Sequence, residues 1–231
     1  MKKTLLMAAM MVASLSASAQ YEAGTFSLQP KAGFTVSMLT NMPKIADVNG
    51  KNLDAVPAVG LIAGADMEYM VTDRFSLAAG LSFMQAGSAW EDYSYKGHIM
   101  DRITTFEMKD TKVELDYLSI PVTANCYVWK GLAVKAGVQF GFLTNAKFKT
   151  TMKTSEGSTN TSTDLDEDFK DQCKKFDLSI PVGLSYEFNN HLVLDARYNI
   201  GLSKVNKDKE AGEKDSKNSV FTLTIGYKIK L

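Results

Sequence analysis

The chain of 231 residues carries 26 basic and 26 acidic side chains, 45% hydrophobic residues and two cysteines. A net charge near zero excludes a general phosphate-backbone binder, whose basic stripe would leave a large positive excess, so no nucleic-acid role is expected. Two cysteines cannot build a disulfide scaffold or a four-thiolate zinc site, and 23% charged with 10% aromatic residues is too mixed a composition for a disordered tail.

The first segment reads as a targeting signal. Met1-Lys2-Lys3 is a positive start, Leu5 to Leu15 is an apolar run of about eleven residues, and Ala17-Ser18-Ala19 before Gln20 offers a small-residue cleavage pattern. The run is well short of the roughly 20 apolar residues of a spanning helix. Residues 1–19 are therefore expected to be a cleaved signal peptide and residues 20–231 a single exported domain. Loss of Lys2 and Lys3 leaves 26 minus 2, or 24, basic against 26 acidic residues.

From there the chain alternates at period two. Eight segments show the pattern, at about 26–38, 58–71, 75–86, 113–128, 132–143, 176–188, 191–201 and 219–231. In the last, Phe221, Leu223, Ile225, Tyr227, Ile229 and Leu231 alternate with Thr222, Thr224, Gly226, Lys228 and Lys230. A helix would need period 3.6, so these are strands. An even number of strands, most of ten residues or more, suits tilted membrane crossings.

The connections alternate as well. Thr72-Asp73-Arg74, Lys130-Gly131 and Asn189-Asn190 are tight hairpins, whereas 39–57, 87–112, 144–175 and 202–218 read as long polar loops. All short turns fall at one end and all long loops at the other, the asymmetry of barrels with periplasmic turns and extracellular loops. The fold expected is all-β: a closed, eight-stranded antiparallel transmembrane β-barrel with short periplasmic turns and long extracellular loops.

With the apolar set turned outward to lipid, the opposite set fills the lumen. Lys31, Asp66, Glu68, Lys135, Gln139, Glu187, Asp195, Arg197 and Lys228 are interleaved there with Gly33, Gly60, Gly64, Gly80, Gly137, Gly141 and Gly183. Eight strands leave a bore just wide enough for side chains, so these charges are expected to pair across it. Tyr69, Phe75, Trp129, Tyr186, Phe188 and Tyr227 fall toward the short-turn rim, and Phe83, Phe140, Phe142, Phe176, Tyr198 and Phe221 toward the other, as two interfacial girdles. Cys126 and Cys173 are placed near opposite rims and are expected to be free thiols.

Tyr117-Leu118-Ser119-Ile120-Pro121-Val122 and Asp177-Leu178-Ser179-Ile180-Pro181-Val182 form an internal repeat. Their L-x-I-P-V core resembles the strand openings of the PorT-like outer-membrane β-barrel family, similar in architecture to the OmpA/OmpX-type eight-stranded barrels. The resemblance runs over essentially the whole mature chain and implies an integral outer-membrane protein; named members of that family assist protein secretion or gliding. Proline inside a strand demotes it, so Pro121 and Pro181 are expected at bulges or bends near the loop-side rim.

No catalytic, cofactor-binding or metal residue is assigned. His98 with Asp92 or Asp101 and Ser94 is the one candidate constellation, and its spacing matches no nucleophile motif. His191 reads as a solvated turn residue. Asp164-Leu165-Asp166-Glu167-Asp168 begins like a calcium loop, but the sixth position is Phe169 and the twelfth Lys175, so it reads as a solvated acidic loop. Lys204, Lys207, Lys209 and Lys214 lie in an outer loop where they can meet lipopolysaccharide phosphates. The expected function is non-enzymatic, in envelope architecture or in surface binding and assembly through the outer loops. Outer-membrane lipid, lipopolysaccharide and envelope or secretion proteins are the expected partners of a monomer. Two other readings share the pattern: a narrow porin-like channel for small solutes, and an exported lipocalin-like barrel with its apolar face turned in around a ligand.

Overall fold

The computed structural model describes residues 22–42, 45–46, 52–99, 102–156, 159–207 and 215–231; the expected signal peptide lies outside them. Eight long strands carry the fold: β1 (Phe26–Leu39), β2 (Ala58–Thr72), β3 (Phe75–Trp90), β4 (Arg102–Trp129), β5 (Leu132–Glu156), β6 (Phe176–Glu187), β7 (Leu192–Gly201) and β8 (Asn218–Tyr227). Each pairs antiparallel with its sequence neighbours. The ring closes where β1 meets β8, in register from Lys31↔Gly226 to Leu39↔Asn218. Closure removes both sheet edges within the wall, which hydrocarbon requires of any strand-built span. Among the described residues no helix is long and apolar enough to cross a membrane.

The direction of the side chains follows the expected alternation. Phe34, Val36, Leu61, Leu81, Val138, Leu184, Leu194, Leu223 and Ile225 are exposed on the outer wall, whereas Ser27, Thr35, Asp66, Ser82, Thr123, Asp195 and Thr224 are buried within. Leu184 is 52% exposed and its neighbour Ser185 only 6%. The lipocalin-like reading needs the reverse and is overturned by this orientation. Outward rings gather toward the two rims, with Phe26 on Tyr69 and Tyr186 on Phe188 at the turn end and Phe176 against Phe140 and Phe142 at the other.

Polarity inverts along the longer strands. In β4, Leu118 and Val122 face out and Ser119 and Thr123 face in, but beyond Tyr117 the inner side carries Val113, Leu115 and Tyr117, all buried, and the outer side Lys112, Glu114 and Asp116. The wall is therefore built for lipid below that level and for water above it, where an apolar interior and charged exterior are the ordinary arrangement. Leu39, Ile62, Met84, Trp90, Leu143, Ala146 and Val220 join Val113, Leu115 and Tyr117 in one cluster that fills the loop-side half of the bore.

Two of the expected long loops are largely strand. The chain after β3 continues as Tyr93–Ile99 along β4, and the chain after β5 returns as Thr159–Asp168 along it, making a four-stranded sheet that stands beyond the barrel. Thr150, Thr151, Thr154, Thr159, Thr161 and Thr163 give these segments β-branched side chains without an apolar alternation. The acidic stretch Asp164 to Asp168 is thus an edge strand rather than a loop. The repeated prolines also differ from expectation. No register shift occurs at either one; Pro121 lies opposite Gly80, between Ala79↔Val122 and Ser82↔Ser119, and Pro181 opposite Gly137, between Ser179↔Gln139 and Val182↔Ala136. Both prolines are buried with the inward parity of the bore.

Leu223 lies level with Ala196 and Leu184 on the outer wall. Replacing it with Arg should lower unfolding free energy by about 2–4 kcal/mol, measured by urea titration in lipid vesicles, because a cation at mid-depth must leave water. A change below about 0.5 kcal/mol, as for an ordinary exposed position, would contradict the outward orientation.

Candidate functional site

The lumen is where the strand pattern concentrates chemistry, and every strand contributes to it. Asp66 of β2 accepts Lys31 Nζ of β1 at 2.7 and 2.6 Å and Arg197 Nη2 of β7 at 2.7 Å. Asp195, two residues before Arg197 and so on the same face, accepts Arg197 Nε and Nη2 at 2.7 and 2.9 Å and Lys135 Nζ of β5 at 2.7 Å. Three bases face two acids in this layer. Nearer the short turns, Lys228 lies 2.8 Å from Glu68 and 3.0 Å from Glu187, so one base faces two acids. The excess of each layer cancels the other, and the whole network is neutral.

Neutral groups complete it. Glu68 Oε1 accepts the Tyr127 hydroxyl at 2.7 Å, Asn125 Nδ2 at 3.3 Å and the Ser76 hydroxyl, while Lys228 Nζ donates to Tyr127 OH at 2.8 Å. Sequence reasoning named the charged members and missed Ser76, Asn125 and Tyr127, although all three share the inward parity of the lumen set. His191 is also more than a solvated turn residue: its Nδ1 contacts Glu187 Oε1 at 3.3 Å at the lower end of the network. Gly80 sets the space for the upper layer, because a Cβ there would meet Asp66 Oδ1 at 2.0 Å.

This packing leaves almost no free volume. The space bounded by Lys31, Gln139, Asp195, Arg197, Ser82 and Ser119 is about 10 Å³, at most the room for a single water. Above it lies the apolar cluster, with Asn218 Nδ2 donating to Tyr117 OH at 3.0 Å across the bore.

Outside the membrane the four-stranded sheet presents opposed faces. The outer face carries pairs such as Lys149 with Glu114 at 2.8 Å, Lys147 with Asp166 at 3.0 Å and Lys109 with Glu107 at 3.0 Å, so its charge is internally balanced. Phe106, Met152 and Leu165 share the inner side and are partly exposed, continuing the apolar cluster upward. Across the barrel mouth, residues 172–174 pair with 205–207: Lys174 N–H donates to Val205 O at 2.7 Å and Lys207 N–H to Gln172 O at 3.0 Å.

Among the described residues the candidate catalytic positions are spread along the backbone rather than gathered. Asp92 caps a bulge by accepting the Asp110 N–H at 3.1 Å. Ser94 and His98 lie on one extended strand, which separates their Cα atoms by about 13 Å, and Asp101 lies outside the described residues. Asp164 accepts Thr151 Oγ1 at 2.8 Å and Asp166 pairs with Lys147, so the acidic strand is tied to β5. Among the described residues no three His, Cys, Asp or Glu side chains converge as a metal site. Lys204 pairs with Asp215 at 3.1 Å and Lys207 Nζ donates to Asp171 O at 2.7 Å; Lys209 and Lys214 lie outside the described residues. Cys126 is exposed on the wall and Cys173 buried at the mouth, both as free thiols.

Arg197→Met should destabilise the barrel by about 3–5 kcal/mol, because it removes the buried guanidinium that Asp66 and Asp195 share and leaves the network with one uncompensated negative charge. Lys204→Met, which opens an exposed pair, should cost less than about 1 kcal/mol in the same urea titration. Equal costs would contradict a structural role for the network.

A family model described as "Outer membrane protein beta-barrel domain" matches residues 18–207. Comparison with curated proteins gives no match. Among solved structures, the chain is similar to the attachment invasion locus protein Ail of Yersinia pestis, at 16% identity over 90% of this chain and 99% of that one, with a TM-score of 0.41. It is similar to Neisserial surface protein A at 14% identity over 88% of this chain and 97% of that one, TM-score 0.41. Similarity to OprG from Pseudomonas aeruginosa covers 93% of this chain and 99% of that one at 13% identity, TM-score 0.38. The family model spans well over half of a chain whose ring closes and whose apolar wall faces out, and the protein therefore belongs to the outer membrane protein beta-barrel domain family of the bacterial outer membrane.

Proposed function

We propose that the protein is a sealed, non-enzymatic surface anchor, PorT-like in kind, that holds its outer sheet and mouth loops at the cell surface for binding or assembly. The observation that carries this reading is the closed lumen: a neutral ion-pair network with about 10 Å³ of free space beside it, covered by an apolar layer. A barrel that conducts needs a continuous wet path, and neither layer offers one. The investment of sequence lies instead above the membrane, where β4 and β5 run on for over a dozen residues past the level at which the wall changes polarity.

The extramembrane sheet supports the same reading. Among the described residues its flanking strands, Tyr93–Ile99 and Thr159–Asp168, stand at the two ends of the sheet order, and a sheet edge is a ready template for an added strand. Envelope or secretion proteins are the partners proposed for this surface. Outer-membrane lipid covers the apolar wall, lipopolysaccharide phosphates are proposed to meet the lysines of the 202–218 loop, and the barrel is proposed to act as a monomer. The secretion-linked character of the PorT-like resemblance, carried by the two Leu-Ser-Ile-Pro-Val repeats, agrees with an assembly role.

Planar-bilayer recording with the purified, refolded protein tests the sealed lumen. No steady openings are expected at membrane potentials of either sign. Reproducible single-channel steps would overturn the reading in favour of a narrow channel for small solutes.

A further inference from the structure

The mouth of the barrel holds a cavity of about 490 Å³ that the sealed lumen does not explain. Its walls come from separate parts of the chain: Leu39 ends β1, Val113 lies on the inner side of β4, and Phe169, Cys173 and Val205 descend from two mouth segments. Gln172, Asn206 and Ser216 supply polar groups to the same space. The roof is held by backbone hydrogen bonds, from Val205 N–H to Ser216 O at 2.8 Å and from Thr40 N–H to Lys217 O at 2.9 Å, besides the pairing of 172–174 with 205–207. Leu39, Val113, Cys173 and Val205 of this lining belong to the same buried apolar cluster as Leu115, Tyr117 and Val220. Packed protein interiors have few voids larger than a water, whereas ligand sites are largely preformed hollows of about 300–1,000 Å³, mostly apolar with a few polar groups, and the mouth of a barrel is one of their habitual places.

The lining also specifies the kind of occupant. Among the described residues none of the lining side chains is charged, and a charged ligand would have to leave water without a partner among them. Burial pushes the Cys173 thiol up to about 11, so that lining group stays neutral over the physiological range. Phe169 and Met42 offer a ring face and a flexible thioether to an apolar body.

We propose that the mouth cavity binds a small uncharged molecule, apolar over most of its length, with a hydrogen-bonding group at one end. Leu39, Val113, Phe169 and Val205 hold the apolar part, and Gln172 and Asn206 meet the polar end. This assignment is independent of the conductance reading, since a closed barrel and a conducting one can each carry it.

Two fluorophores with the same rings test it. N-phenyl-1-naphthylamine is uncharged, and 1-anilinonaphthalene-8-sulfonate adds a fixed negative charge. Titrated into the full mature barrel in lipid nanodiscs, with empty nanodiscs as the blank, the uncharged probe should saturate at one per chain and the sulfonate should bind at least tenfold more weakly. Val205→Trp, which fills the cavity, should weaken the uncharged probe at least tenfold, whereas Met38→Trp, on the outer side of the wall beside Leu39, should leave it unchanged. Signal no greater than that of empty nanodiscs, equal binding of the sulfonate, or undiminished binding by folded Val205→Trp would overturn the proposal. Heat-dependent gel mobility reports whether Val205→Trp has folded. If it has not, protection decides: in a Cys126→Ser background the saturating uncharged probe should slow N-ethylmaleimide modification of Cys173 at least fivefold, and an unchanged rate would overturn the site.

Discussion

Hydrocarbon supplies no hydrogen bonds, and that single constraint organises this molecule. Every backbone amide at membrane depth must find its partner within the sheet, so the sheet has to close. Here it closes after eight strands, with β1 against β8. An eight-stranded ring encloses room for side chains and little else. Lys31, Asp66, Glu68, Lys135, Glu187, Asp195, Arg197 and Lys228 are thereby forced within reach of one another, and their complementary signs turn confinement into cohesion. The seal in the lumen is thus a consequence of closure at this strand number.

The same strands serve two solvents in succession. Up to Leu118, β4 is inside out, with aliphatic groups on the wall and small polar groups within; from Tyr117 outward it has the polarity of a water-soluble protein. Along β4 the inversion needs no turn, only a change in which parity is apolar, and β5 meets it with a register shift between Tyr117↔Leu143 and Asp116↔Asn145. The inversion places an apolar layer above an ionic one and carries the outer sheet and mouth cavity directly on the rigid wall.

How much of this is legible in sequence depends on the range of the interaction. The alternation of Phe221 to Leu231 is local, and it declares both the strand and its outer face. The lumen residues follow from parity alone, and all of them are found inside. Pairing is another matter: Arg197 meets Asp66 across 131 residues of chain, a partnership fixed by strand register that no local pattern encodes. The outer extensions of β4 and β5 read as loops because Thr150 to Thr163 lacks apolar alternation, although β-branched threonine was itself the signal. Pro121 and Pro181 suggest bulges when each strand is read alone; only the neighbouring strand shows Gly80 and Gly137 opposite them. Val205 and Cys173 were indistinguishable from loop residues until the backbone pairing of 172–174 with 205–207 turned them over the bore.

Accessibility along one strand reports which way its apolar side chains face. Single cysteines placed in turn from Leu178 to Tyr186 of β6 in a cysteine-free background, each carrying a nitroxide in lipid vesicles, report collisions with dissolved oxygen, which concentrates in the acyl region. High oxygen accessibility is expected at Leu178, Ile180, Val182 and Leu184 and low accessibility at Ser179, Pro181, Gly183 and Ser185. A profile of opposite phase, or one without period two, would contradict an apolar wall around a sealed ionic core.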